Sequence, residues 1–465
     1  MNSDELIDDR LEEGTGQTVV SGVAVSSVTS MVLRALDVAT GILLLRWLTI
    51  FEYGLYQLVT AAYDFFTGFF LSGLENVVVS DASRDLKKDL GHARNIFSTY
   101  VVCMAIVGIL LWALFFYGSG LLTRWVRGGD IIGYIKIISF IFLLAPFESA
   151  YKLTFQIFLD FWWANFFRII GSATRIAVVV SYFFFFSFHV REALISLLAA
   201  TALPTVVAFL CYRRQTLFRI PSYEGLRTSL SELFLKHGKW AIASDFINNL
   251  PQTIQPFIVK IFAGVEAVAL ISLAQSLIGT LKSLFPIREI LTPILPRSGD
   301  DPTRLARQIN RATKYATAVY GVLAISAAVG VPYMVFLLFP KYLPALPLFY
   351  ILLLGFPWWG FRLVAVPVFY TLKEQRTLLV VTTGRTVVSL MITVVATYLF
   401  GVWGAVVGMV CIGILTSPAY ALAIKRILPE WKFSWKEFFS FDEYDRVVMR
   451  TIVKRVLVKT GWPLS

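Results

Sequence analysis

Two charged residues, Arg34 and Asp37, interrupt the first long apolar stretch of the sequence. Together with Ser27, Ser30 and Gly41 they recur at intervals of three and four residues, which is typical of one face of a helix. A charge at the middle of a membrane costs about 2.5–3.5 kcal/mol on insertion scales, so it is kept only where a partner, water or a ligand offsets that cost. The pattern therefore predicts a wet cavity beside this helix. Arg34 would attract an anion there, while Asp37 would pair with it or take part in ion coupling.

A second polar stripe opens the other half of the chain. Its members, which share one helical face, are Asp245, Asn248, Gln252 and Gln255. Pro251 and Pro256 interrupt the same segment, and each removes a backbone hydrogen bond and frees a carbonyl. Freed carbonyls beside polar side chains are tolerated in a membrane where they line a wet cavity. The segments that follow the two stripes are polar as well, with Asp64 and Glu75 in the first half and Gln275 in the second.

Further basic residues lie deep inside apolar segments. They are Arg175, Arg288, Arg362 and Arg385. A surplus of deep arginines predicts a cationic cavity, which suits an anion because a guanidinium pairs with phosphate or carboxylate through two parallel hydrogen bonds. We expect Arg46, Lys152 and Arg168 to be structural instead, as ion pairs or as side chains that reach the membrane surface.

The composition excludes most other classes of protein. Of 465 residues, 57% are hydrophobic and only 15% are charged, and the mean hydropathy is +0.70. A soluble domain carries about 25% charged residues, so a soluble enzyme, a disordered chain and a fibrous repeat are all disfavoured. The three cysteines and three histidines lack metal-ligand spacing. The sequence contains no phosphate-binding loop motif and no recognisable group of catalytic residues. We therefore expect no cofactor, no metal and no enzymatic activity.

About twelve apolar segments are long enough to cross a membrane as helices. Their predicted ranges are 18–50, 53–80, 95–122, 131–152, 161–188, 193–212, 235–262, 267–295, 312–339, 343–371, 377–400 and 402–424. Basic residues concentrate in the loops after even-numbered segments, so the positive-inside rule places both termini in the cytoplasm. The sequence thus predicts a multi-pass protein of the cytoplasmic membrane.

The two halves of the chain repeat one another. The turn Phe51–Leu55 recurs at Phe262–Val265, and Leu143–Phe147 recurs at Leu353–Pro357, both about 210 residues later. We therefore predict an all-α integral membrane protein with two pseudo-symmetric six-helix bundles around a central cavity. The predicted divisions are an acidic cytoplasmic tail (1–17), two lobes (18–212 and 235–424) joined by a basic cytoplasmic linker (213–234), and a cytoplasmic tail (425–465).

Several short motifs occur in a familiar order. They are Ser26-Ser27 through Arg34, Leu45-Arg46-Trp47-Leu48, Glu52-Tyr53-Gly54-Leu55-Tyr56, Leu71-Ser72-Gly73-Leu74-Glu75 and Ala82-Ser83-Arg84. In this order and spacing the chain resembles the polysaccharide flippases of the multidrug/oligosaccharidyl-lipid/polysaccharide exporter superfamily, over most of its length. The resemblance implies movement of a polyprenyl-diphosphate-linked glycan across the membrane by alternating access. It also implies a cationic cavity for the diphosphate and sugars, to which Arg34 contributes.

Around this resemblance we predict roles for the remaining polar residues. The expected diphosphate-binding residues are Arg34, Arg175, Arg288 and Arg385; the expected glycan-binding residues are Asn248, Gln252 and Gln255; the expected ion-coupling residues are Asp37, Asp64, Glu75 and Asp245. The prenyl tail would stay in lipid. We expect membrane lipid and glycan-assembly enzymes as partners, no nucleic acid, and a monomer.

Two other functions stay open at this point. A drug or organic-cation antiporter of the same superfamily would be favoured by a cavity in which acidic residues dominate. A membrane enzyme such as a glycan polymerase or ligase would be favoured by turnover that makes a new covalent bond. In either transporter the energy would come from an ion gradient, the membrane potential or the substrate gradient.

Overall fold

A computed structural model describes most of the chain between residues 15 and 432. The described residues are 15–70, 74–85, 89–126, 131–158, 160–212, 218, 223–231, 239–284, 291, 295, 301–372 and 374–432. Within these ranges the chain is helical apart from short turns, and no residue lies in a strand. The prediction of an all-α membrane protein is confirmed. The predicted acidic tail and C-terminal tail, and much of the predicted linker, lie outside the described residues.

The first half of the chain contains seven helices in the described ranges. They are α1 (Thr15–Trp47), α2 (Ile50–Phe70), α3 (Leu74–Asp85), α4 (Leu90–Val126), α5 (Ile131–Ile157), α6 (Phe161–Phe185) and α7 (Val190–Tyr212). The second predicted segment, 53–80, is therefore two helices, α2 and α3. Polar residues explain the difference, since α3 carries Glu75, Asp81, Ser83 and Asp85 and is too polar to continue an apolar span.

The second half of the described chain begins with the short helix α8 (Tyr223–Leu230) in the predicted linker. The elements that follow are α9 (Lys239–Ala263), α10 (Val265–Ser283), α11 (Pro302–Leu338), a 3₁₀ helix (Pro340–Ala345), α12 (Leu346–Leu353), α13 (Phe356–Thr371) and α14 (Gln375–Ile427). The helix α14 breaks at Gly401, whose φ of +56° favours glycine. This break separates the predicted segments 377–400 and 402–424.

Seven of the described helices are long and apolar enough to cross a membrane by themselves. A bent pair, Pro340–Leu353 with Phe356–Phe369, turns through 52° and makes an eighth span if it crosses as one unit. The helices α1, α2 and α9 correspond to the remaining predicted segments. The helices thus follow the twelve predicted segments in order.

Two helix pairs approach closely at a glycine beside a proline. A side chain at Gly108 of α4 would meet the carbonyl oxygen of Phe142 at 2.4 Å, and Pro146 removes the amide that this carbonyl would normally accept from. A side chain at Gly171 of α6 would meet the carbonyl of Ala200 at 2.9 Å in the same way, one turn before the proline of α7. Glycine therefore permits the close packing on which the first half of the molecule is built.

The described residues divide into two compact units. The first contains the residues up to Ile278 together with Ala328–Leu352 and Thr382–Met409. The second contains Gly279–Ala327, Leu353–Val381 and the residues from Val410 onward. In the second unit, Arg362 and Lys282 lie over the ring of Trp359, with 4.9 Å and 3.9 Å to the ring centroid. The predicted lobes 18–212 and 235–424 are a different division and stay a prediction.

One end of the first unit is held by a polar cluster at the α1–α2 turn. Glu52 accepts hydrogen bonds from the backbone and hydroxyl of Thr49, and its second carboxylate oxygen lies 2.7 Å from Nδ1 of His189. Lys341 donates to the carbonyls of Arg46 and Leu48 at the end of α1. Partial burial raises the pKa of Glu52, but the hydrogen bonds from Thr49 and His189 outweigh burial and leave that pKa below its ordinary value of 4.5.

The sequence repeat relates two turns of the chain to one another, and these two turns meet near this cluster. A side chain at Gly54 would lie 2.3 Å from the carbonyl oxygen of Val265, so only glycine fits between α2 and the start of α10. Gly264, with a φ of +91°, ends α9 and donates to the carbonyl of Lys260. Both glycines therefore serve the same junction, one through size and the other through backbone conformation.

Candidate functional site

The first compact unit contains a cavity of about 750 Å³, which we call the larger cavity. Helices α2, α3, α5, α9 and α10 supply its wall. The wall is rich in amides and hydroxyls, which are Gln57, Thr60, Thr67, Ser149, Asn249, Gln252, Thr253, Ser272, Gln275 and Ser276. Its charged residues are Asp64 of α2, Glu75 of α3, and Glu148 and Lys152 of α5. The larger cavity is thus polar and carries more carboxylates than cations.

An ion pair crosses the wall of the larger cavity. Nζ of Lys152 lies 2.8 Å from one carboxylate oxygen of Glu75, and Ser149 donates a hydrogen bond of 3.1 Å to the other oxygen. The side chain of Lys152 is 49% exposed and that of Glu75 is 23% exposed. Because Lys152 is half open, its ammonium has room to leave Glu75 for another acceptor.

The opposite wall is built from the amides of α9 and α10. Gln275 donates to the side-chain oxygen of the buried Gln255 at 2.9 Å, and both amides contact the sulfur of Met409, at 3.3 and 3.4 Å. The two prolines of α9 free backbone carbonyls, as the sequence predicts. Thr386 donates to the freed carbonyl of Ile247, and Gln252, whose carbonyl Pro256 frees, lines the cavity.

A second cavity of about 250 Å³, the smaller cavity, lies among α1, α5, α6 and α7. Its cations are Lys152, Arg168 and Arg175, and its carboxylates are Asp37 and Glu148. Nη2 of Arg175 donates to the hydroxyl of the buried Tyr56 at 2.5 Å, while its Nε is buried with no hydrogen-bond partner in the described ranges. Ser172 donates to Asp37 at 3.3 Å. Glu148 and Lys152 line both cavities, so one turn of α5 is their shared wall.

The structure brings about half of the predicted site residues to these cavities. Asp64, Glu75 and Gln252 line the larger cavity, Asp37 and Arg175 line the smaller one, and Gln255 lies behind Gln275. Their roles in binding or coupling stay predictions.

Other predicted residues lie elsewhere. Arg34 is exposed on α1 and Arg385 is half-buried on α14, and neither lines these two cavities. Asn248 is exposed, and its neighbour Asn249 lines the larger cavity instead. Successive helical residues point about 100° apart, which explains this difference. Asp245 belongs to α9, but its side chain is outside the described set.

The charge of the larger cavity differs from the prediction of a cationic chamber. Among the described residues, three carboxylates and one ammonium line it, whereas in the smaller cavity the described cations exceed the carboxylates by three to two. The sequence shows how deep an arginine lies but not which neighbouring helix it faces. The predicted Arg288 lies outside the described residues.

Sequence reasoning missed Glu148 and the cavity role of Lys152 and Arg168. A usable signal exists, because Glu148 and Lys152 are four residues apart within an apolar helix, which places both on one face. Arg168 and Arg175 are likewise two turns apart on α6, with Ser172 between them.

Comparisons with known proteins agree with this architecture. A family model described as polysaccharide biosynthesis protein matches residues 43–347. No curated protein sequence matches the chain.

Several solved structures share the fold at low sequence identity. An inward-facing multidrug resistance MATE family transporter of the MOP superfamily has a TM-score of 0.72 and 16% identity, covering 88% of this chain and 98% of its own. The lipid II flippase MurJ, in an inward closed conformation, has a TM-score of 0.71 and 13% identity, covering 94% and 93%.

A third structure, a MOP superfamily transporter from Pyrococcus furiosus described as having a binding pocket of reverse polarity, has a TM-score of 0.54 and 14% identity, covering 88% of this chain and 94% of its own. These likenesses show a shared all-helical transporter fold. The family model covers more than half of the sequence. The chain therefore belongs to the polysaccharide biosynthesis protein family and has the fold of MOP superfamily transporters.

Proposed function

We propose that the chain is a flippase that moves a polyprenyl-diphosphate-linked oligosaccharide from the inner to the outer leaflet of the cytoplasmic membrane. The observation that carries the proposal is the wall of the larger cavity, in a member of a polysaccharide biosynthesis family. Amides donate and accept hydrogen bonds, and hydroxyls do both as well, which matches the hydroxyl groups of a sugar. A volume of about 750 Å³ lies within the range of ligand-binding cavities.

The excess of carboxylates is compatible with an uncharged glycan. A carboxylate accepts hydrogen bonds from sugar hydroxyls without needing a positive partner. The diphosphate would instead meet cations, for which Arg175 is the predicted residue that lines a described cavity. Alternating access would carry the headgroup across while the prenyl tail stays in lipid, with both termini cytoplasmic and with Asp37, Asp64, Glu75 or Asp245 coupling the movement to an ion gradient.

A depletion experiment tests this function in cells. When the protein is depleted, a lipid-linked oligosaccharide should accumulate on the inner leaflet, where lectins or enzymes added from outside cannot reach it. Restoring the wild-type chain should return the intermediate to the outer leaflet. Depletion without any accumulation of a lipid-linked sugar would contradict the proposal.

One observation favours a second function, export of an organic cation. Asp64, Glu75 and Glu148 line the larger cavity, where Lys152 is the one lysine among the described lining residues, and carboxylates attract cations. Vesicles that contain the purified protein distinguish the two functions. An antiporter would accumulate a fluorescent organic cation when a proton or sodium gradient is imposed, and a glycan flippase would not.

A further inference from the structure

We propose that the smaller cavity is a separate binding site for a phosphate group, and that Lys152 leaves Glu75 to join Arg168 and Arg175 when the phosphate is bound. The proposal deepens the proposed function and rests on it, because it divides the substrate between two cavities. The larger cavity would hold the glycan, and the smaller would hold the diphosphate. The sequence predicts only structural roles for Lys152 and Arg168, so their place in a binding site is new.

The cations of the smaller cavity are arranged on facing helices. Arg168 and Arg175 lie two turns apart on α6, with Ser172 between them, and Lys152 lies on α5. Guanidinium groups bind phosphate oxygens through paired hydrogen bonds, and a hydroxyl can add another. A volume of about 250 Å³ is small for a glycan but sufficient for a phosphate headgroup.

Arg175 is positioned for such a ligand before the ligand arrives. Its Nη2 is held by the hydroxyl of Tyr56 at 2.5 Å, and Tyr56 is itself only 5% exposed. Its Nε is buried and unpaired in the part of the chain that the structure describes. A buried donor without an acceptor is costly, and a phosphate oxygen would offset this cost.

Lys152 connects the smaller cavity to the larger one. It lines both cavities, but its ammonium is bound to Glu75 in the larger one. Glu75 and a phosphate in the smaller cavity would therefore compete for the same ammonium, and the half-exposed lysine can reach only one of them at a time. Weakening the hold of Glu75 on Lys152 should strengthen phosphate binding.

Other titratable groups face this switch. They are Asp64 on α2, Tyr100 on α4, and Glu148 on α5 beside Lys152. The described wall of α9 contributes amides and a hydroxyl there. Asp37 and Glu148 oppose an anion in the smaller cavity, so the three cations there must outweigh two carboxylates.

Binding of inorganic pyrophosphate to the full-length protein in phosphatidylcholine nanodiscs tests the proposal. Arg175→Gln and Arg168→Gln should each weaken binding about tenfold, the typical effect of losing a charge-assisted hydrogen bond. Arg175→Lys, which keeps the charge, should weaken binding less. Arg191→Gln, an exposed arginine that lines neither cavity, should leave the affinity unchanged. Thermal melting checks that each variant is folded.

The switch has its own signature in the same assay. Glu75→Gln should tighten pyrophosphate binding about fivefold, because Lys152 is then no longer held by a carboxylate. Lys152→Gln should abolish this difference. Glu266→Gln, an exposed carboxylate on α10, should behave as wild type. Equal affinities for wild type, Arg168→Gln and Arg175→Gln would overturn the site, and an unchanged affinity in Glu75→Gln would overturn the switch.

Two further arms identify the source of the phosphate. Farnesyl diphosphate should compete with pyrophosphate if the site accepts the substrate's diphosphate. Phosphatidylglycerol nanodiscs should weaken pyrophosphate binding to wild type and to Arg168→Gln by the same factor, through surface charge alone. A larger loss for wild type would mean that a lipid headgroup occupies the site, and this outcome would overturn the assignment to substrate. If the binding pattern holds but no lipid-linked glycan is moved, the proposed function fails while the phosphate site stands. If glycan is moved and Arg175→Gln binds pyrophosphate normally, the phosphate site fails while the proposed function stands.

Discussion

The larger and smaller cavities share one turn of α5, yet their charges differ in sign. The larger cavity combines three carboxylates and Lys152 with many amides and hydroxyls. The smaller cavity adds Arg168 and Arg175 and has an apolar remainder that includes Leu33, Phe155 and Phe167. A charge deep in an apolar segment therefore does not by itself determine the charge of a cavity. Its effect depends on which neighbours it faces, and Lys152 faces two sets at once.

The largest expected effect comes from removing the shared cation. Lys152→Gln should slow transport of a lipid-linked oligosaccharide in vesicles about thirtyfold, because Glu75 would keep its charge without a partner. The double variant Glu75→Gln with Lys152→Gln should recover part of the loss, since it leaves no unpaired charge. Equal rates for the single variant and wild type would show that the two cavities work independently of this ion pair.

The next largest effect is expected at the smaller cavity. Arg175→Lys keeps the charge but loses the planar guanidinium that Tyr56 holds. We expect the apparent KM for the lipid-linked substrate to rise about sixfold, less than for Arg175→Gln, with little change in kcat. Tyr56→Phe serves as the matched variant and should raise the KM less, because it removes only the positioning hydrogen bond. A fall in kcat alone would argue against a role in substrate binding.

A smaller and more selective effect is expected at the larger cavity. Gln275→Ala removes an amide that lines this cavity and releases Gln255. Affinity for the lipid-linked glycan should fall about threefold to fivefold, while pyrophosphate binding should not change. Isothermal titration with both ligands measures the two affinities. A loss of pyrophosphate binding in this variant would mean that the division of the substrate between the cavities is wrong.

The smallest effect is expected away from both cavities, at Glu52. Its lowered pKa means that the native state is stabilised above the ordinary value of 4.5 and that this contribution is lost as the pH falls through the lower native pKa. Glu52→Gln should therefore lower stability by less than about 1 kcal/mol at pH 7, and by progressively less in acid. Melting temperatures in detergent from pH 7 to pH 4 measure the trend. Affinity for pyrophosphate should be unaffected, and a change there would link this end of the molecule to the cavities.

The sequence predicts the elements of this fold well. A long apolar segment in a membrane satisfies its backbone hydrogen bonds by forming a helix. The order of the helices along the chain therefore follows directly from hydropathy. The broken helix at Gly401 and the turn at Gly264 also follow from sequence, because glycine and its spacing mark them. The second segment is predicted as one span, and the polar residues of α3 explain why it divides into α2 and α3 instead.

The candidate site was harder to predict than the fold. Gln252, Asp64 and Glu75 were found because polar residues are costly inside a membrane. The partner of each charge could not be found, because Lys152 and Glu75 are 77 residues apart in sequence and meet only through the packing of α3 against α5. Two arginines at similar depth, Arg34 and Arg175, also have different surroundings, which depth alone does not distinguish.

Transport by the purified protein is the most direct test of the account. Proteoliposomes that carry a lipid-linked oligosaccharide only in the inner leaflet would be probed with a lectin added outside. We expect the lectin-accessible fraction to rise with time in vesicles containing the wild-type chain and to rise far more slowly with Lys152→Gln. A fraction that stays constant with the wild-type chain, while the same vesicles exchange an organic cation for protons, would contradict it.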